Sequence, residues 1–174
     1  MIPFERTATG TAAASFTDLE RELLTDLATQ VVELLGEPSD EGFAGIGGSN
    51  SVSADPAIAR LLPDAYRDDA EASREFRRFT ENSLASRKVA NARALISALA
   101  ESGEIELAAE AQQAWLRALT DIRLTIASRL GIEHDDDSDG NGAEAHAATD
   151  ADLMMRDIYD WLGMVQGSLV GALE

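Results

Sequence analysis

The stretch AWLRALTDIRLTIASRLG, residues 114–131, decides how this chain is read. Trp115, Leu119, Ile122, Ile126 and Leu130 recur at spacings of three or four, and Leu116 and Leu124 widen the same face. That period is helical, and Gly131 supplies the residue type that most readily leaves a helix through a left-handed turn. A helix with one broad apolar face must bury it against other elements, at about 25 cal/mol per Å² of apolar surface. The rest of the chain is therefore expected to supply the other helices of a bundle.

Residues 2–16 lack a helical period, and Gly10 stands as a turn residue between β-tolerant stretches, so a short strand pair is expected at Ile2 to Thr7 and Thr11 to Phe16. Thr17 can cap a helix beginning at Asp18, with Glu20 at its third position completing a capping box. Leu19, Leu23, Leu27, Val31 and Leu34 form the apolar stripe of that helix, which Gly36 and Pro38 close. Asp55 and Pro56 restart the chain as cap and first helical residue, and Pro63 breaks the short helix that carries Leu61 and Leu62. Asp68 or Asp69 can cap the next element.

From Ala70 to Glu101 there is neither Gly nor Pro, which leaves one long helix or two with a break near Ser83. Phe76, Phe79, Leu84, Val89, Ala92, Leu95, Ile96 and Leu99 supply its buried side, and Gly103 separates it from the helix of Trp115. A last helix is expected from Asp150 or Ala151 to Ala172, striped by Ile158, Leu162, Val165, Leu169 and Leu173. Gly163, Gly167 and Gly171 fall on one side of it as a close-packing groove. The fold class is thus mainly α, a helical bundle of about five helices with a short N-terminal β-hairpin. One helical domain covers residues 1–174, with segments at 36–54 and 133–149 that read as flexible from their glycine, serine and aspartate content.

The formal net charge is −18, and it is unevenly placed. Residues 1–59 hold 10 acidic and 2 basic side chains, residues 60–131 hold 11 of each, and residues 132–174 hold 11 acidic and 1 basic. The centre is balanced and the two flanks are acidic, which disfavours nucleic-acid binding by the whole molecule. The chain has 0 cysteines, which excludes disulfides, thiolate nucleophiles and cysteine-based zinc sites. No run approaches the roughly 20 apolar residues of a membrane span, and the first residues lack a signal-peptide core.

Three local patterns invite a chemical reading. DDDSDGNGAEAH, residues 135–146, places Asp135, Asp137, Asp139 and Gly140 as in a calcium loop, but Gly142 and His146 stand where an apolar anchor and a bidentate Glu are needed. GIGGS at 45–49 has glycines for a phosphate nest but no Walker Lys. His134 and His146 are outside any HExxH pattern, so neither metal nor cofactor is expected, and no residue set assigns a reaction.

Two surfaces are more specific. On a continuous helix Arg74, Arg77 and Arg78 share an arc of about 100°, with Phe76 and Phe79 opposite, and Arg87, Lys88 and Arg93 extend the positive charge. These six form a candidate interaction surface for an acidic protein partner or for phosphates. Arg117, Asp121, Arg123, Tyr159 and Gln166 form a candidate structural polar network, should the last two helices meet, with Arg117 and Asp121 four apart as a helical charge pair.

RLLPDAY at 60–66, EFRRFTENSLASRK at 75–88, AWLRALTDIRLTIASRLGI at 114–132 and YDWLGMVQGSLVGAL at 159–173 together closely resemble the actinobacterial family of unknown function DUF2017. Its members are often encoded beside the protease adaptor ClpS. The resemblance covers the helical body from residue 18 onward and implies a bacterial cytoplasmic helical protein. Some relatives are called transcriptional regulators, and a thiol switch in any of them does not carry over to a chain without cysteine. The expected function is a regulatory or adaptor-like protein-interaction domain, binding another protein or a second copy as a homodimer. A nucleic-acid-binding regulator and a metal-dependent enzyme are the alternatives.

Overall fold

Thr17 starts the first helix because its hydroxyl accepts from the Glu20 amide at 3.3 Å while the Glu20 carboxylate accepts from the Thr17 amide at 2.8 Å. That reciprocal pair satisfies donors that the first turn would otherwise leave open. In the computed structural model, which describes residues 1–36, 55–63, 73–132 and 149–174, with only the backbone for 73–81, the chain order is mixed but mainly helical. It runs β1 (Ile2–Arg6), β2 (Ala12–Ser15), α1 (Asp18–Leu35), α2 (Pro56–Leu61), α3 (Ser73–Ala100), β3 (Ile105–Leu107), α4 (Ala109–Leu130) and α5 (Asp150–Gly171). The mainly α bundle of the sequence reading is therefore the fold.

Helix α4 is the centre. It packs against α1, α2, α3, α5 and β3, and its side chains Trp115, Ala118, Leu119, Ile122 and Ile126 are buried in one continuous core. It ends at Gly131, whose φ of 69° is left-handed, and the Ile132 amide then donates to the Ala127 carbonyl at 2.9 Å while its side chain turns into the core. Asp55 caps α2 ahead of Pro56, accepting from the Ala57 amide at 2.9 Å. Residues 73–100 form one helix without a break at Ser83.

The expected hairpin is present, and the sheet has a third strand that the sequence reading did not include. β1, β2 and β3 lie in that order, all antiparallel, with Ala12 opposite Leu107 and Ala14 opposite Ile105. At three residues, β3 is too short to show an alternating pattern by itself. Thr11 Oγ1 donates to the Glu106 carboxylate at 2.6 Å across this pairing. Phe4, Phe16 and Trp115 form an aromatic cluster under the sheet, with ring centroids 5.9, 5.6 and 6.1 Å apart, in edge and tilted arrangements.

One helical stripe is phased differently from the expectation. On α1 the buried residues are Leu24, Ala28, Val31 and Leu35, whereas Leu19 is 75% exposed and Leu23 and Leu27 are half-buried. α1 packs mainly on α3, and both helices bury alanines, Ala28 on one and Ala85 and Ala92 on the other. A small residue thus sets the middle of the inner face, which a stripe of leucines overlooks. On α5 the expected Leu162, Val165 and Leu169 are buried together with Tyr159, while Ile158 at the margin and Leu173 just past the helix end are half-buried.

Candidate functional site

Helices α4 and α5 form the face on which most of the candidate polar residues meet. Arg123 leaves α4 and lays its guanidinium carbon 4.5 Å from the centre of the Tyr159 ring. Its Nη1 donates to Gln166 Oε1 at 3.1 Å, and Gln166 Nε2 donates in turn to the Thr120 hydroxyl at 2.8 Å. The same guanidinium lies over Gly163, where a Cβ would stand 3.7 Å from its central carbon. Arg123 Nε is buried without a hydrogen-bond partner. The array joins two hydroxyl side chains, an amide and a guanidinium with no carboxylate or imidazole among them, and it fixes the register of α4 against α5.

Arg117 and Asp121 do not join it. Arg117 is exposed, while Asp121 faces α3 and accepts from Lys88 Nζ through Oδ1. The Lys88 and Asp121 side chains are only 17% and 4% exposed. Burial pushes the Asp121 carboxyl above its ordinary value, and the hydrogen bond and charge of Lys88 pull against that push. Lys88 therefore leaves the expected positive surface and becomes an internal tie between α3 and α4. A four-residue spacing suggested Arg117 as the partner of Asp121, but Asp121 points inward.

Of the other surface residues, Arg87 is exposed with its Nε donating to the Ser83 carbonyl at 3.4 Å, and Arg93 is exposed farther along α3. Arg74, Arg77 and Arg78 lie on the first turns of α3, and their side chains fall outside the described residues. The calcium-like and glycine-rich stretches and both histidines also fall outside them. Among the described residues no group of three His, Cys, Asp or Glu is arranged to hold a metal ion, and no helix is long and apolar enough to cross a membrane. A shallow depression at Asp55, Pro56, Ser128 and Arg129 is crossed by an Arg129 to Asp55 ion pair at 3.5 Å.

The feature that the sequence reading missed is the outer side of α5. Leu153, Asp157, Asp160, Met164, Gly167 and Gly171 are all exposed, and at about 100° per residue they fall within an arc of about 80°. Met154 and Val170 flank it. Of the described large apolar side chains that are exposed, Ile2, Leu19, Leu153, Met154, Met164 and Val170, four belong to this one helix. Gly167 and Gly171 have nothing within 4 Å of where a Cβ would stand, so the glycine row is an inner groove only at Gly163. The spacing 153, 157, 160, 164 carries this face in the sequence, as the complement of the buried stripe.

A mainly helical fold with a small antiparallel sheet and, among the described residues, no assembled catalytic set is the class that this geometry defines. The chain belongs to the family described as domain of unknown function DUF2017, whose model matches residues 1–173. It is 30% identical over 176 residues to the Mycobacterium leprae counterpart of the oxidative stress regulator AosR, covering 88% of this chain and 78% of that protein. It is 29% identical over 173 residues to the oxidative stress regulator AosR of Mycobacterium tuberculosis, covering 87% and 77%. The Mycobacterium bovis protein of the same name matches to the same extent. No solved structure gives a significant match.

Proposed function

We propose that this chain is a regulatory protein-interaction domain whose docking surface is the outer face of α5. The observation that carries this reading is the concentration of exposed Leu153, Met154, Met164 and Val170 on one helix that also presents Asp157 and Asp160. Scattered exposed apolar residues are ordinary, but four on one helix with two aspartates set among them mark a contact surface for a partner that meets both. The names of the relatives add a regulatory setting and a response to oxidants.

The occupant that fits is a basic amphipathic segment of another protein. Within residues 150–171 there are four aspartates against one arginine, so a partner with lysines or arginines beside its apolar anchors is steered in and held. A second copy of this chain would set Asp157 and Asp160 against their own kind in a molecule already at −18. Without a side chain at Gly167 and Gly171, a partner backbone can approach closely beside Met164.

The test places a photo-crosslinking residue at position 164, or at position 117 on α4 as the comparison, and uses the full chain. A protein captured from cells is then purified and recombined with each version. Crosslinks from 164 into a lysine- or arginine-rich segment, lost on Leu153→Glu, support the reading. Crosslinks from 117 alone move the interface to another face. Sequence-selective DNA binding at physiological salt without a protein complex would replace the proposal with the nucleic-acid alternative.

A further inference from the structure

We infer that Met154 and Met164 are oxidant-reading positions, and that their conversion to sulfoxides releases the partner from α5. The inference rests on the docking reading above. With 0 cysteines, this chain has no thiol to be oxidised, which leaves the methionine thioether as its readily reversible two-electron site. The chain has 4 methionines, and the fold sorts them. Met1 and Met155 are half-buried and pack against the core, while Met154 and Met164 are each 63% exposed. The neighbours Met154 and Met155 thus face opposite fates on adjacent positions of one helix.

The chemistry is a single oxygen transfer. The sulfur lone pair attacks the terminal oxygen of a hydroperoxide, the S–O bond forms as the O–O bond breaks, and the departing oxygen takes up the proton and leaves as water or an alcohol. Sulfur loses two electrons and the peroxide gains them. Methionine sulfoxide reductases reverse the product. Because neither exposed side chain belongs to the core, oxidation leaves the fold intact and changes only what α5 presents. A flexible apolar contact becomes a polar, chiral one, within the exposed arc at Met164 and on its flank at Met154.

The experiment treats the full chain with hydrogen peroxide and maps the added oxygen by peptide mass spectrometry, with circular dichroism and partner binding followed on the same samples. Sulfoxide is expected to accumulate at Met154 and Met164 on the order of tenfold faster than at Met155. The thermal transition should stay in place while partner affinity falls by about tenfold and recovers after reductase treatment. The chain with Met154→Leu and Met164→Leu keeps the apolar surface and should hold its partner through the same treatment. Oxidation of Met155 at an equal rate, or loss of the partner together with the fold, overturns the inference. Equal affinity before and after oxidation of both residues overturns it while leaving the docking reading standing. If the untreated chain has no partner at this face, both fall.

Discussion

Lys88 and Asp121 show what a single buried charge costs. Asp121 has one carboxylate oxygen on Lys88 and the other buried without a partner, so the pair is held by proximity more than by complete hydrogen bonding. Removing the cation alone strands a carboxylate at 4% exposure. Lys88→Met is expected to destabilise the protein by about 3–5 kcal/mol, and adding Asp121→Leu to recover most of the loss, as measured by urea unfolding. A double variant no better than the single one would show that the pair's worth lies elsewhere. Glu20 behaves in the opposite electrostatic sense. Burial raises its pKa, but the Met1 ammonium at 2.8 Å and the Thr17 amide and hydroxyl outweigh it and hold the carboxyl below its ordinary 4.5. The folded chain then binds fewer protons at this site than the unfolded one, so its contribution is complete above pH 4.5 and is lost as pH falls through the lower folded value. The stability gap between the native chain and Glu20→Gln should accordingly narrow below pH 4.5, in acid titrations followed by circular dichroism. The Thr17 and Glu20 box was legible in the sequence because it is local. The partner of Asp121 was not, since Lys88 lies 33 residues away and only the packing of α3 on α4 brings them together.

At the scale of the element, the helices divide into ends and faces. Thr149 caps α5 with the same reciprocal geometry as Thr17, through Asp152, which places it on the helix and not in the acidic stretch before it. The far end of α3 is closed by a side chain from another element. Arg21 on α1 donates to the carbonyls of Leu99 at 2.9 Å, Glu101 at 2.8 Å and, through its second terminal nitrogen, Gly103. A cation at the negative end of a helix satisfies its open acceptors, and nothing in the spacing around Arg21 announces it. Gly131 was legible because cap and period coincide there. The inner phase of α1 was not, because Ala28 carries no periodic weight. Gly167 offers a clean test of the exposed face. It sits in the helix interior with an ordinary negative φ and open space for a Cβ. Gly167→Ala should raise stability by about 0.5–1 kcal/mol, seen as a Tm increase of about 1–4 °C. If the docking reading holds, the same change weakens the partner contact while it strengthens the fold.

Across the whole molecule, α4 organises a core whose outer boundary is set by segments distant in sequence. β1 is an outer strand of the sheet, and α5 packs on it. The Phe4 amide donates to Ser168 Oγ at 3.2 Å, and that hydroxyl donates to the Val165 carbonyl at 2.8 Å. Gln112 does similar service at β3, donating to the Leu107 carbonyl at 2.9 Å from a buried position. Such contacts blunt the open edges of a small sheet. Ser168→Ala leaves the Phe4 amide without its acceptor and should cost about 1–2 kcal/mol, with hydrogen exchange at Phe4 accelerating ahead of the α4 amides. Unchanged exchange at Phe4 would mean that water replaces the hydroxyl at no cost. The bundle itself could be read from periodicity, since each helix carries its own apolar stripe. The third strand and the α5 to β1 seam could not, because they exist only once the helices have met.

That seam also bears on how the chain is made. The two atoms of the Phe4 to Ser168 hydrogen bond are 164 residues apart. At about 5–20 residues per second, on the order of ten seconds pass between the emergence of one and of the other from the ribosome. During that interval Phe4 and Phe16 await the ring of Trp115, and then the edge of β1 awaits α5. A nascent chain in this condition presents an open strand and aromatic side chains to its surroundings. Closure of this seam therefore waits until Ser168 has emerged, and the window before it is when the protein most needs protection from aggregation.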